Sequence, residues 1–166
     1  MNDYQKKRFA KRMVETMFNT VTSKKIAIFG FAFKKDTGDT RETAAAFVMR
    51  DLLEERAQLA VYDPKVTRDQ MFEEFKYTCN VTPATVSGLD GMITTEKDPY
   101  KACEGAHAIA VMTEWDEFKS YDYTKIFAAM SKPAFIFDGR NILPHAELRK
   151  IGFEVYAIGK PVPTAI

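Results

Sequence analysis

The sequence predicts an α/β fold, a doubly wound parallel sheet with helices on both faces that is preceded by an N-terminal helix. Short apolar runs rich in β-forming residues alternate with segments of helical periodicity along most of the chain. Strands that are separated by helices pair in parallel and are covered on both sides. Hydrophobic residues make up 46% and aromatic residues 13% of the 166 positions, which is enough for one well-filled core.

The first predicted element is an amphipathic helix over residues 2–20. Phe9, Met13 and Met17 follow one another at four-residue steps and define its apolar side. That side needs a cover, which another domain or subunit could supply. The opposite side carries five basic residues, namely Lys6, Lys7, Arg8, Lys11 and Arg12. This run could bind an anion, but a solvated face is the more common role of such a run.

The rest of the chain alternates between strands and helices. The predicted strands cover residues 25–31, 58–64, 92–94, 107–113 and 153–159, and a further strand with its exit loop covers 134–140. The predicted helices cover residues 40–56, 67–75, 99–105, 122–131 and 144–150. Two helix starts carry recognisable caps. Thr67 and Gln70 form a capping box, and Asp98 with Pro99 supplies an N-cap and a first-turn proline. Residues 77–95 otherwise have no clear period and are predicted to be a loop.

Charge and cysteine content exclude several functional classes. The 24 lysines and arginines nearly cancel the 23 acids, so we predict no nucleic-acid or membrane partner. Cys79 and Cys103 are the two cysteines, and their spacing favours neither a metal site nor a disulfide scaffold. The opening residues lack a signal-peptide pattern and no apolar run approaches about 20 residues. We therefore expect a cytoplasmic protein.

Ligands of a doubly wound sheet bind at the carboxyl ends of its strands, which makes the loop GFAFKKDTGDTRET at 30–43 the first candidate. A dinucleotide fingerprint would need three closely spaced glycines, but Ala32 and Phe33 follow Gly30 where further glycines would lie. Asp63, the acid at the end of the second predicted strand, lies 33 residues beyond Gly30 instead of roughly 20. The pattern therefore disfavours an NAD site within this domain.

The same loop suits an anion in a different way. Lys34, Lys35 and Arg41 place three cations at the carboxyl end of the first strand, and Asp39 can cap the helix that follows. A hydrogen bond to a charged group contributes about 1.5–3 kcal/mol, so two such contacts would fix a diphosphate. Alternatively, the lysines are solvated and Arg41 pairs with a neighbouring aspartate. The position at a strand end favours the ligand role.

A second candidate loop follows the predicted strand that ends in Asp138. Gly139 permits a sharp turn there, and Arg140 then emerges at the same edge of the sheet. The planar guanidinium of arginine donates several hydrogen bonds at once, which suits a phosphate. The three-residue motif is weak alone, but its expected proximity to the 30–43 loop strengthens it.

Other reactive or aromatic residues are predicted to be structural. Trp115 is more typical of a packing anchor than of a stacking platform, and Cys103 of a buried thiol. Cys79 has no neighbour that would lower its pKa. His107 and His145 have no evident acid–base partner. The spacing therefore predicts no catalytic constellation and favours a binding domain.

Four motifs in this order carry a resemblance to a known family. GFAFKKDTGDTRE (30–42), YDP (62–64), TEW (113–115) and FDGR (137–140) resemble the C-terminal domain of the UDP-glucose 6-dehydrogenase family. The opening MNDYQKKRF resembles the end of the helix that connects the two domains of that family. The first block is very specific, whereas the three short motifs would mean little alone.

The resemblance implies a domain organisation and an activity. Residues 1–22 would be the end of the connecting helix, 23–160 a Rossmann-like domain that binds a UDP-sugar, and 161–166 a flexible tail. The family's full-length enzyme oxidises UDP-glucose to UDP-glucuronate with two NAD, and its connecting helix contributes to dimer contacts. We therefore expect UDP-glucose or UDP as ligand, NAD as the cofactor bound mainly by a separate N-terminal domain, and a homo-oligomeric enzyme.

The resemblance also implies roles for single residues. Phe33 and Lys34 match the family's substrate-binding pair, Arg140 its substrate-binding arginine, and Arg41 the arginine that reaches the NAD. Lys35 receives no role. The catalytic cysteine of the family lies in a Gly-Ser-Cys segment, and neither cysteine of this sequence stands in such a context. The 166 residues alone are therefore expected to bind UDP-sugar without turnover.

Two alternatives stay open. The apolar side of residues 2–20 is consistent with a non-enzymatic assembly domain that mainly supplies oligomer contacts. The motifs are also compatible with a related nucleotide-sugar dehydrogenase that acts on another hexose.

Overall fold

The computed structural model describes residues 3–31, 44–78 and 92–157, and its centre is a sheet of six parallel strands. The strands lie in the order β3-β2-β1-β4-β5-β6. Their bounds are β1 Lys25–Phe29, β2 Gln58–Tyr62, β3 Ile93–Thr95, β4 Ala108–Val111, β5 Phe135–Asp138 and β6 Glu154–Ala157. The predicted α/β fold with a parallel sheet is confirmed.

Helices connect the strands and cover both faces of the sheet. In the described part of the chain they are α1 Asp3–Thr16, α2 Ala44–Glu54, α3 Arg68–Thr78, α4 Pro99–Cys103, α5 Tyr123–Ala129 and α6 His145–Ile151. A 3-10 helix, Asp116–Lys119, was not predicted from the sequence. The beginning of the predicted 40–56 helix falls outside the described residues.

Alternate residues of each strand belong to two separate hydrophobic cores. Ile26 and Ile28 of β1 point to the core shared with α1 and α2, whereas Ala27 and Phe29 point to the core shared with α4 and α6. Strands buried on both faces read as continuous apolar runs instead of alternating ones. This burial explains why KIAIF and its counterparts could be recognised in the sequence.

The apolar side of α1 is covered within the chain. Phe9, Met13 and Met17 have no exposed surface and belong to the same core as β1 and β5. α1 also packs against α2. The face that seemed to need another domain or subunit is therefore buried against the chain's own sheet. Three of the basic residues of this helix, Lys7, Arg8 and Lys11, are exposed on the opposite side.

Both predicted helix caps are present. The backbone N–H of Thr67 donates to Gln70 Oε1 at 2.9 Å, and the N–H of Gln70 donates to Thr67 Oγ1 at 3.2 Å. The Asp98 side chain accepts from the N–H of Tyr100 at 2.9 Å, with Pro99 at the first helical position. No helix in the part of the chain that the structure describes has the length and apolarity needed to cross a membrane.

The strand order places the topological switch point between β1 and β4. From β1 the chain builds outward to β2 and β3, and from β4 it builds in the other direction to β5 and β6. The connections after β1 and β4 therefore leave the sheet toward opposite faces and open a crevice between them. The carboxyl ends of these two strands are the place where a doubly wound sheet binds its ligand.

Candidate functional site

The candidate site lies at the carboxyl edge of the sheet, at the ends of β1, β4 and β5. Of the predicted ligand residues, Arg140 belongs to the described part of the chain. Phe33, Lys34 and Arg41 lie outside the described residues, as do the remaining residues of the 32–43 segment. Their predicted roles stay predictions, and the geometry of the site is built from the loops after β4 and β5.

Arg140 is half-exposed at this edge and forms an ion pair with Glu114. Its Nη2 contacts Glu114 Oε1, and the two side chains are 40% and 42% exposed. Arg140 follows β5, whereas Glu114 follows β4, so the pair joins two neighbouring loops across the sheet edge. The guanidinium is therefore held over the strand ends, where other anions can compete with Glu114 for it.

The turn that presents Arg140 is built around the fully buried carboxylate of Asp138. Asp138 Oδ1 accepts from the N–H of Arg140 at 3.1 Å, and Oδ2 accepts from the N–H groups of Ile142 and Leu143, both at 2.9 Å. The ring nitrogen Nε2 of His145 lies 2.8 Å from the same Oδ2. A buried carboxylate is stable when it receives several hydrogen bonds in this way.

The sequence predicted that His145 has no acid–base partner, and this prediction is wrong. His145 is the first residue of α6, and the turn after β5 folds back so that its ring meets Asp138. The two residues are seven positions apart and are connected by an irregular loop. Because such a loop has no regular spacing, the contact could not be predicted from residue spacing in the sequence. A buried acid at a strand end followed by a histidine at a helix start is the signal that could have indicated it.

The same turn leaves no room for a side chain at Gly139. A Cβ there would lie 2.6 Å from Phe9 Cε2 and 2.9 Å from the carbonyl oxygen of Val111. Phe9 belongs to α1, so the first helix supports the turn directly. Helix α1 is therefore part of the structure that presents Arg140.

A second carboxylate, Asp63 after β2, connects three loops at the switch point. Its Oδ2 accepts from the backbone N–H of Phe31 at 2.7 Å and from the indole Nε1 of Trp115 at 3.3 Å. Its Oδ1 accepts from the N–H groups of Lys65 and Val66 at 2.8 and 3.1 Å. Trp115 is 5% exposed, so the predicted packing role is confirmed, and its polar end has a definite partner.

Two tyrosines hold the 3-10 helix at the same edge. The hydroxyls of Tyr62 and Tyr121 donate to Glu117 Oε2 at 2.7 and 2.5 Å. Burial, and next the hydrogen bond to Glu117, raise the pKa of Tyr62 to about 12, and the same two causes raise the pKa of Tyr121. Both hydroxyls therefore keep their protons at neutral pH and act as donors. Glu114 and Glu117 received no role in the sequence analysis, where TEW was noted as a family motif and Trp115 as a packing residue.

The described residues of this site add neither a metal centre nor a nucleophile. Over residues 3–31, 44–78 and 92–157, no three His, Cys, Asp or Glu side chains come together where they could hold a metal ion. Cys103 is buried, and desolvation raises the pKa of its thiol to about 12. The predicted structural thiol is confirmed. The described part of the site thus offers an arginine, held acids and backbone groups, which suits binding.

Comparison with protein families decides the family. The family described as "UDP-glucose/GDP-mannose dehydrogenase family, UDP binding domain" matches residues 27–145, which include every strand from β2 to β5. The chain belongs to this family. The resemblance seen in the sequence motifs is confirmed, and the chain is a UDP-binding domain of the UDP-glucose dehydrogenase type.

Curated UDP-glucose 6-dehydrogenases align with nearly the whole chain. UDP-glucose 6-dehydrogenase of Mus musculus is 53% identical over 164 residues, which are 98% of this chain and 33% of that protein. UDP-glucose 6-dehydrogenase 2 of Arabidopsis thaliana is 52% identical over 172 aligned residues, covering 98% of this chain and 35% of that protein. The chain thus spans about a third of the length of these relatives.

Two solved structures of nucleotide-sugar dehydrogenases share the fold. A UDP-D-ManNAc dehydrogenase from Pyrococcus horikoshii superposes with a TM-score of 0.66 at 25% identity, covering 93% of this chain and 30% of that chain. An NDP-N-acetyl-D-galactosaminuronic acid dehydrogenase from Methanosarcina mazei gives a TM-score of 0.70 at 22% identity, covering 93% and 28%. At this identity, the similarity to the Methanosarcina mazei protein shows only a shared fold, which is Rossmann-like.

Proposed function

We propose that the chain is the UDP-sugar-binding part of an NAD-dependent UDP-glucose 6-dehydrogenase. In this proposal the diphosphate of the ligand binds at the carboxyl edge of the sheet, beside the switch point. The oxidised substrate is UDP-glucose, and the NAD is held mainly by another domain of the enzyme. The proposal rests on the family match over 27–145 and on the identity of about half to UDP-glucose 6-dehydrogenases.

The observation that carries the binding role is the position of Arg140. Its guanidinium stands at the edge where doubly wound sheets bind ligands, and it is held there by a turn that a buried acid organises. The guanidinium pairs with a carboxylate, Glu114, in an arrangement that a phosphate can replace, because both anions accept bidentate hydrogen bonds from arginine. The half-exposed state of the pair leaves it accessible to a ligand.

Further residue roles follow the family resemblance. Phe33 and Lys34 would contact the UDP-sugar from the loop after β1, and Arg41 would reach the NAD. These three assignments are proposals that rest on the FAFKKDTGDTR motif. The enzyme is further proposed to be a cytoplasmic homo-oligomer. The alternative of a non-enzymatic assembly domain was based on an uncovered apolar side of α1. That side is buried within the chain, so this observation no longer supports the alternative.

Calorimetric titration of the 166-residue chain with UDP tests the proposal. The wild-type chain is expected to bind UDP, and Arg140→Ala is expected to weaken binding by about 10- to 100-fold, since a charge-assisted hydrogen bond contributes about 1.5–3 kcal/mol. Arg140→Lys is expected to recover part of the loss, because lysine keeps the charge but loses the planar fork. No NADH is expected from the chain with UDP-glucose and NAD.

Lys150→Ala is a matched control. Lys150 is an exposed cation in the last turn of α6, which has run from the carboxyl edge of the sheet back toward the start of β6. Its removal changes the net charge by the same amount as Arg140→Ala but leaves the candidate site intact. Equal losses of UDP affinity in both variants would indicate a general charge effect and would remove Arg140 from the site. Absence of UDP binding by the wild-type chain would refute the proposed function.

A further inference from the structure

Asp63, the acid that follows β2, does not have the environment that a dinucleotide site would give it. In dinucleotide-binding sheets an acid of this kind accepts from the ribose hydroxyls of the cofactor. Here the carboxylate of Asp63 faces protein donors, with Phe31 N and Trp115 Nε1 on Oδ2 and two backbone N–H groups on Oδ1. Its oxygens therefore join loops of the chain instead of facing a ribose.

The two oxygens of Asp63 do different work. Oδ1 accepts from Lys65 and Val66, two and three residues further along, which is a local turn of the kind that aspartate and asparagine both form. Oδ2 accepts from Phe31, 32 positions earlier, and from Trp115, 52 positions later. The second oxygen thus ties the loop after β1 to the loop after β4, which flank the crevice at the switch point.

Further contacts connect this tie to the candidate site. Trp115 is the neighbour of Glu114, and Glu114 forms the ion pair with Arg140. On the other side, Gly30 lies so close to β4's exit that a Cβ there would lie 2.4 Å from Thr113 Cβ. Gly30 after β1 and Thr113 after β4 therefore lie side by side, and Phe31 and Trp115 in the same two loops are joined through Asp63.

We infer that Asp63 is a positioning residue of the UDP site, whose Oδ2 fixes the loops after β1 and β4 relative to each other. This inference rests on the proposed function for its ligand. The contact with ligand is made by other residues, and Asp63 acts by holding Phe31 and Trp115. The chain also contains its own reporter, because Trp115 is the single tryptophan of the sequence.

Asp63→Asn separates the two roles of the carboxylate. The amide oxygen of asparagine can keep the local turn with Lys65 and Val66, whereas its NH2 group replaces Oδ2. Donor then faces donor at Phe31 and at the Trp115 indole, and the tie between the loops is broken. Asp69→Asn is the matched control, since Asp69 is an exposed aspartate in the first turn of α3.

The test combines calorimetry with the indole N–H signal of Trp115 in an 15N-labelled sample. We expect Asp63→Asn to move this signal upfield, to speed its exchange with water and to weaken UDP binding about tenfold. We also expect UDP to shift the signal in the wild-type chain and to lose most of this effect in Asp63→Asn. Asp69→Asn is expected to match the wild-type chain in each measurement.

The outcomes separate the inference from the proposed function. If the wild-type chain binds UDP and Asp63→Asn binds it equally well, or its indole signal is unchanged, the positioning role is refuted while the proposed function stands. If the wild-type chain does not bind UDP, the proposed function fails first. Should Asp63→Asn not fold, Trp115→Phe removes one of the two donors while keeping an aromatic ring at this position, and unchanged UDP affinity in that variant would refute the role.

Discussion

The ring nitrogen Nε2 of His145 lies 2.8 Å from Oδ2 of Asp138, a carboxylate with no exposed surface. This contact closes the turn after β5 against the first residue of α6 and completes the set of donors around Asp138. Arg140 sits within that turn, and its own backbone N–H donates to Asp138. The stability of the turn and the presentation of the guanidinium therefore have a common origin.

We expect Asp138→Asn to lower the free energy of unfolding by about 3 kcal/mol. In the wild-type chain these backbone N–H groups donate to a carboxylate, whereas the asparagine side chain would present an NH2 group to some of them. Hydrogen bonds to charged groups contribute about 1.5–3 kcal/mol each. His145→Ala removes one donor and is expected to cost about 1–2 kcal/mol, since the other donors around Asp138 stay. Urea denaturation measures both. His107→Ala, directly before β4, is the control, and a loss equal to that of His145→Ala would contradict a specific role of the Asp138 contact.

Glu114→Gln is expected to tighten UDP binding about two- to fivefold. Glu114 competes with the ligand for Arg140, and a half-exposed ion pair of this kind contributes about 0.2–1 kcal/mol. The removal of a negative charge near the diphosphate acts in the same direction. Calorimetry at two salt concentrations measures the effect, with Asp116→Asn as control because Asp116 is exposed in the next turn. Weaker binding would show instead that Glu114 holds Arg140 in its binding position.

The close contact between β1 and β4 at the switch point predicts the effect of Gly30→Ala. Gly30 has φ +96°, and a Cβ there would lie 2.4 Å from Thr113 Cβ and 2.9 Å from its backbone nitrogen. Backbone strain of about 1 kcal/mol and overpacking of about 1–3 kcal/mol both oppose the substitution. We expect the free energy of unfolding to fall by about 3 kcal/mol in urea.

Gly105→Ala separates the two contributions. Gly105 has φ +70° but open space where a Cβ would be placed, so that only the backbone strain of about 1 kcal/mol applies. If both variants lose the same stability, the contact with Thr113 does not contribute.

Alkaline pH is expected to destabilise the fold through Cys103. Burial raises the pKa of this thiol from 9.0 to about 12, so the folded state holds the proton more tightly than the unfolded state. The stabilisation is present in full below pH 9 and is lost as pH rises from 9 toward 12. Urea midpoints of a Cys79→Ser chain and of the same chain with Cys103→Ala, measured from pH 7 to 10.5, test this. A decline of equal slope in both chains would contradict a contribution from Cys103.

Local signals allowed much of the fold to be predicted. The caps at Thr67 and Asp98 involve neighbours three residues apart or fewer, and the strands are apolar because both faces are buried. The position of Arg140 at the sheet edge followed from the strand that precedes it. These features depend on the residues around them in the sequence, which is why they could be recognised.

Contacts between distant loops could not be predicted in the same way. The 3-10 helix is held through Glu117, which accepts from Tyr62, 55 positions earlier, and from Tyr121, four positions later. Asp63 received no structural role from the sequence beyond its place in the YDP motif, because its partners Phe31 and Trp115 belong to other loops. Side chains that join loops carry no period, and their role appears only when the sheet brings the loops together.

A crystal structure of the 166-residue chain with UDP would show directly whether Arg140 binds the diphosphate. We expect the diphosphate at the carboxyl edge of the sheet, within hydrogen-bond distance of the Arg140 guanidinium, with Glu114 displaced from it. The chain offers another basic surface, the exposed side of α1 with Lys7, Arg8 and Lys11, that could attract the same anion. A diphosphate bound there, with the Arg140–Glu114 pair unchanged, would contradict the account.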